Sequence, residues 1–151
     1  MHSRIFQLTV EPVPKDEWFS ADDICDSSFI GAVADYVRTQ PEDEREDDIG
    51  WLINGYEKIF KRNGDTLEVL PGAKHVYFAE DYKKFKQEAS SLTLDDFCND
   101  YKMWLMRALI NDRFSFYIYD EDCYPKTLDL FMREVKECSV LHIGGIVDYH
   151  T

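Results

Sequence analysis

No CxxC pair occurs in this 151-residue chain, and its four cysteines stand apart at positions 25, 98, 123 and 138. That spacing matches no zinc motif. Catalytic signatures are missing as well. There is no GxSxG, HExxH, P-loop or GxGxxG, so nothing indicates a nucleophile elbow, a zinc protease or a phosphate cradle. Histidines are few, at positions 2, 75, 142 and 150. His75 and His142 have no acid or nucleophile close in sequence that would make either a general base. No stretch approaches the roughly 18 apolar residues of a membrane span. The opening MHSRIFQLTV lacks the basic and apolar regions of a signal peptide. A cytoplasmic protein with free, reduced thiols is the expectation.

Basic residues are also scarce: 17 against 30 acids, for a net charge of −13. Most of the excess lies in one third of the chain, because Glu11 to Asp48 holds thirteen acids and three bases. Such a field repels nucleic-acid phosphates and anionic membranes and attracts basic proteins or cations. No basic patch accompanies the aromatics, which argues against direct nucleic-acid binding. QPEDEREDD (40–48) reads as an exposed acidic loop. Its Glu42, Asp43, Glu44, Glu46, Asp47 and Asp48 form the candidate contact surface for a basic or DNA-binding protein. The plainer role for such a surface is solubility. The sharper one is mimicry of nucleic acid, with carboxylates standing in for phosphates, by analogy with small acidic anti-restriction proteins.

What is present suffices for a core: 44% of residues are hydrophobic and 15% aromatic. RIFQLTV (4–10) alternates Ile5, Gln7 and Thr9 against Phe6, Leu8 and Val10, as a strand does. Phe29, Val33, Tyr36 and Val37 favour a helix within 27–37. Ile49, Leu52, Ile53, Tyr56 and Phe60 mark a second helix, stopped at Asn63-Gly64. TLEVLPGAKHVYF suggests a hairpin around Pro71-Gly72. Two helices follow: one over 80–91 facing Tyr82, Phe85 and Ala89 inward, and one over 94–111 capped by Thr93 with Asp96. The latter turns Phe97, Tyr101, Trp104, Leu105 and Ala108 to the core. Residues 113–119 read as a strand, 126–135 as a helix begun at Pro125, and 139–150 as a final strand with a bulge at Gly144-Gly145. Strand, helix and strand over the last third permit a parallel crossover. No internal repeat or low-complexity tract interrupts the chain.

FSFYIYDEDCYP (114–125) runs a strand into three acids. Asp120 and Asp122 sit where α/β sheets gather ligands, and an Asp-x-Asp pair at a strand end suits a Mg²⁺-dependent aspartyl-phosphate mechanism. Only 29 residues follow Asp122, too few to supply the remaining parts of such a site. A turn, with the acids capping the next helix, is the preferred reading.

SRIFQLTVEPV resembles the opening strand of small, acidic, uncharacterised bacterial proteins. The resemblance spans about a dozen residues and implies no activity. The expected architecture is one α+β domain over residues 1–151, with a small, mostly antiparallel sheet and helices chiefly on one face. The expected function is a non-enzymatic interaction module that uses no cofactor. The alternative is a metal-assisted hydrolase or small-ligand binder at Asp120 and Asp122.

Overall fold

A computed structural model describes residues 2–24, 29–113 and 115–151. The alternation of the first strand, β1 (His2–Thr9), serves two cores at once. Phe6 and Leu8 enter a large core beneath one face of the sheet, and Ile5 a smaller core beneath the other. β1 runs antiparallel to β7 (Val140–His150) and parallel to β5 (Tyr117–Tyr119). The far edge of β7 is shared by β4 (Thr66–Val69) at its start and β2 (Tyr36–Thr39) at its end. β3 (Phe60–Asn63) forms a hairpin with β4, and β6 (Pro125–Thr127) one with β5. The order is β3-β4-β7-β1-β5-β6, with β2 beside β7. The sheet is mostly antiparallel, as expected.

Three helices cover one face: α1 (Glu42–Tyr56), the start of α2 (Ala73–Ser91), and α5 (Leu128–Glu134). Ile49 and Leu52 of α1, Ala73 of α2, and Phe131 and Met132 of α5 meet Phe6, Leu8, Phe116 and Ile118 there. The opposite face is covered by the segment between β1 and β2. Its Phe19, Ile24, Phe29 and Ala34 pack on Ile5, Tyr117, Val147 and Tyr149. Two further helices, α3 (Leu94–Phe97) and α4 (Asp100–Ala108), stand apart, α3 packing against α4 and α4 against α2. Among the described residues no helix is long and apolar enough to cross a membrane.

The bulge in β7 falls at Gly144-Gly145, where the register against β1 slips between Phe6 and Leu8. Neither glycine tolerates a side chain. A Cβ on Gly144 would lie 2.0 Å from the Gln7 side-chain oxygen, and one on Gly145 2.0 Å from the Phe19 carbonyl. Buried Gln7 Oε1 accepts from the N–H groups of both Gly145 and Phe19, each at 2.9 Å. At the same bulge, the buried Arg45 guanidinium of α1 donates to the carbonyls of Ile143 (2.7 Å) and Gly144 (3.2 Å). It also lies 4.5 Å above the Trp18 ring. These polar groups sit between β4 and β2, where no strand reaches them.

Several sequence-based expectations are corrected. Residues 29–35 make turns ahead of β2, and no helix forms there; the start of that stretch lies outside the described residues. The acidic stretch 42–48 is not a loop but the first half of α1, which ends at Tyr56; Phe60 belongs to β3. Gly64 is left-handed (φ +61°), yet it turns the β3–β4 hairpin and stops no helix. Pro71-Gly72 leads into α2, which therefore starts well before residue 80. Tyr82, Phe85 and Ala89 face outward. The Thr93–Asp96 capping box is present, but the helix breaks between Phe97 and Asp100. Phe97, Tyr101 and Trp104 are more than half exposed, and Leu105 is exposed too. Pro125 lies in β6, and α5 is capped instead by Thr127, whose Oγ1 accepts from the Leu130 N–H. The C-terminal crossover starts not from β5, which runs opposite to β7, but from β6, which is antiparallel to β5 and so parallel to β7, with α5 between them.

Asp129, buried at the start of α5, ties the helical elements to the sheet. Its carboxylate accepts from Tyr77 Oη (2.5 Å) of α2 and from the backbone and guanidinium of Arg113 (3.0–3.2 Å). Burial alone would raise the Asp129 pKa, but these donors outweigh it and hold the carboxyl below its usual range. A depressed folded pKa contributes stability above the unfolded value of about 3.9, and that contribution is lost as pH falls through the folded value. Asp129→Asn should therefore cost about 1–3 kcal/mol at pH 7. In chemical unfolding across pH, the gap to wild type should close below about pH 4. Gln7→Leu orphans two buried donors at about 1–3 kcal/mol each, so a loss of roughly 2–6 kcal/mol is expected from urea unfolding.

Candidate functional site

The acids at 120–122 occupy the loop of the β5–β6 hairpin, since Tyr119 pairs with Pro125. The turn is built by local bonds. Asp120 accepts from the Asp122 N–H through its carboxylate (3.1 Å) and from the Cys123 N–H through its carbonyl (3.1 Å). Cys123 takes the left-handed conformation (φ +59°) that such a turn requires. The acids thus serve a turn, but a turn between strands, and they cap no helix.

Their other partner is Lys126, whose side chain is 1% exposed. Its Nζ lies 2.8 Å from Asp120, 2.6 Å from Asp122 and 2.9 Å from Glu134 of α5. The Tyr124 ring is 5.2 Å away. Burial alone would lower the Lys126 pKa; hydrogen bonds to the three carboxylates outweigh it and raise the ammonium well above its ordinary range. A lysine held protonated in this way is neither a nucleophile nor a base at neutral pH. Glu121 accepts from the Val10 N–H and so fastens the end of β1. Beside the cluster runs a groove of about 670 Å³, bounded by Leu8, Val10, Phe131, Glu134 and Leu141. Of the acids in its wall, Asp120, Asp122 and Glu134 are paired with Lys126, while Glu121 and Glu137 accept from backbone N–H groups. Among the described residues, no three His, Cys, Asp or Glu side chains are placed to hold a metal ion.

The second candidate, the acidic run, becomes a helix face. Arg45, Ile49 and Leu52 point inward at i, i+4 and i+7, which turns Asp43, Glu46 and Asp47 to solvent, while Glu42, on the inward stripe, is exposed at the helix start. Glu42 pairs with Lys15 (2.5 Å), Glu44 with Arg38 (3.4 Å) and Glu46 with Arg62 (2.9 Å). Asp48 departs from the group. It is largely buried, and it accepts from Arg4 (2.9 Å) and Gln40 (2.7 Å). The Lys15–Glu42 pair brings a second acidic segment beside α1, with Asp16, Glu17, Asp22 and Asp23 all exposed. The side chains of Asp16, Glu17, Asp43 and Asp47 pair with no described residue.

Comparison with known proteins finds no matching family model, curated protein or solved structure.

Sequence reasoning missed Lys126, Glu134 and Arg45. Lys126 carried one usable signal, its i+4 spacing from Asp122; Glu134 carried none, because its approach depends on α5 folding back over the hairpin. Cys98, Cys123 and Cys138 are free and exposed, and Cys25 lies outside the described residues. Losing Lys126 leaves Asp120 largely buried without its cation while Asp122 and Glu134 stay in solvent, so Lys126→Met should cost about 1–3 kcal/mol. Thermal unfolding of wild type should be the same with Mg²⁺, Mn²⁺ or chelator. A metal-dependent rise in midpoint would show that the carboxylates release Lys126 for an ion.

Proposed function

We propose that this chain is a non-enzymatic interaction module whose acidic face engages a basic protein. The observation that carries this reading is the approach of two separate acidic segments, 16–23 and the start of α1, at the sheet edge between β4 and β2, where Lys15 reaches Glu42 and Trp18 lies against Arg45. The bases that might neutralise them are engaged elsewhere or tied in ion pairs: Arg45 is buried against backbone carbonyls, and Lys15 is held by Glu42. Unpaired carboxylates at a surface of one sign steer cationic partners and raise their association rate. A DNA-binding protein is the sharper candidate, because its phosphate-binding surface is complementary to such a face. Exposed, free thiols fit a reducing, cytoplasmic setting. The alternative, a metal-assisted hydrolase or ligand binder at Asp120 and Asp122, is weaker because Lys126 already engages both carboxylates.

The test uses the immobilised chain, host lysate and an Asp16→Asn/Asp43→Asn/Asp47→Asn variant. Wild type should retain basic proteins, with retention falling steeply as salt rises from about 0.05 to 0.2 M. Added duplex DNA should compete if the partner binds DNA. The variant should retain at least tenfold less while unfolding at the same urea concentration. Equal capture by both forms would overturn the reading.

A further inference from the structure

Residues 73–113, which hold α2, α3 and α4, contain seven bases and seven acids, so the net charge of −13 belongs entirely to the rest of the chain. Among the described residues, this neutral arm carries the most exposed large apolar side chains. On α4, Met103, Met106 and Leu109 form the half-buried side, while Tyr101 and Trp104 stack on each other in solvent with ring centroids 6.0 Å apart. Trp104 is 58% exposed, Phe97 60% and Leu94 78%. A helix apolar on nearly every side is one that is covered on more than one side. With each aromatic offering roughly 150–250 Å², Leu94, Phe97, Tyr101, Trp104, Leu105 and Ile110 present on the order of 700 Å², close to the roughly 800 Å² per partner of a stable interface.

We propose that this arm is a self-association surface, in which α4 of one copy pairs antiparallel with α4 of a second copy around Tyr101 and Trp104. Charge selects the occupant. Two copies meeting through their sheets would bring like charges together, whereas the arm is neutral. The α4 region is also polarised: Asp95 and Asp96 precede it, Asp100 lies in its first turn and Arg107 in its last. An antiparallel two-fold pairing sets the acidic end of each copy against the basic end of the other, the self-complementarity that a symmetric dimer needs. This surface is separate from the acidic face, and its test is independent of that reading.

Sedimentation velocity of the full chain from about 1 to 200 µM should show a concentration-dependent dimer. Tyr101→Ala/Trp104→Ala should weaken it at least tenfold with an unchanged far-ultraviolet spectrum. Asp100→Lys and Arg107→Glu copies should each dimerise poorly alone, and mixing the two should restore the dimer, since both contacts then join opposite charges. A wild-type monomer throughout, a dimer indifferent to the double alanine variant, or a mixture that recovers nothing would each overturn the proposal.

Discussion

Two adjacent glycines in the middle of β7 create a polar demand that neighbouring strands do not meet, and the fold is arranged around it. A buried backbone N–H or carbonyl without a partner costs about as much as a lost hydrogen bond. At Gly144-Gly145 the demand is met by two side chains arriving from different directions. Gln7 supplies one oxygen to two N–H groups and so clamps the segment carrying Phe19 over the second core. Arg45 supplies donors to two carbonyls and fixes the first half of α1 at the sheet edge. Small residues are obligatory at the bulge because Gln7 and Phe19 fill the space a side chain would take.

The candidate site follows from that constraint. With Arg45 turned inward, helical geometry directs Asp43, Glu46 and Asp47 outward. The same logic recurs at part-buried Arg4 and buried Lys126. Arg4 is held by Asp48 and Asp148, and Lys126 by Asp120, Asp122 and Glu134. Each of these cations engages two or three acids, so the ion pairs draw acids as well as bases into the fold. Buried pairs of this kind add little net stability over an apolar core of the same shape, but removing one member is costly.

The parts of the fold legible in the sequence were those whose period was set by burial on both sides. β1 and β7 showed a strand pattern, and Gly144-Gly145 marked the bulge. Thr93 and Asp96 announced their cap because a capping box is local. The first half of α1 was hidden because acids fill every position from 42 to 48 except Arg45, so no apolar stripe exists to read. The 94–111 segment misled in the opposite way. An apolar helical stripe signals a covered face, but it does not say whether the cover comes from the same chain. The candidate site was legible in part: the exposed acids were recognised, Asp48 was wrongly included, and the role of Asp120 and Asp122 could not emerge without Lys126.

The most direct measurement is native-state hydrogen exchange at the amides of Gly145 and Phe19. If Gln7 Oε1 holds both, the Phe19 amide, though it lies outside any strand, should exchange as slowly as that of Gly145, at rates near the limit of global unfolding. Exchange of Phe19 at the rate of an open loop, with Gly145 protected, would contradict the account. The covering segment would then be held by apolar contact alone, and the bulge would not organise the fold.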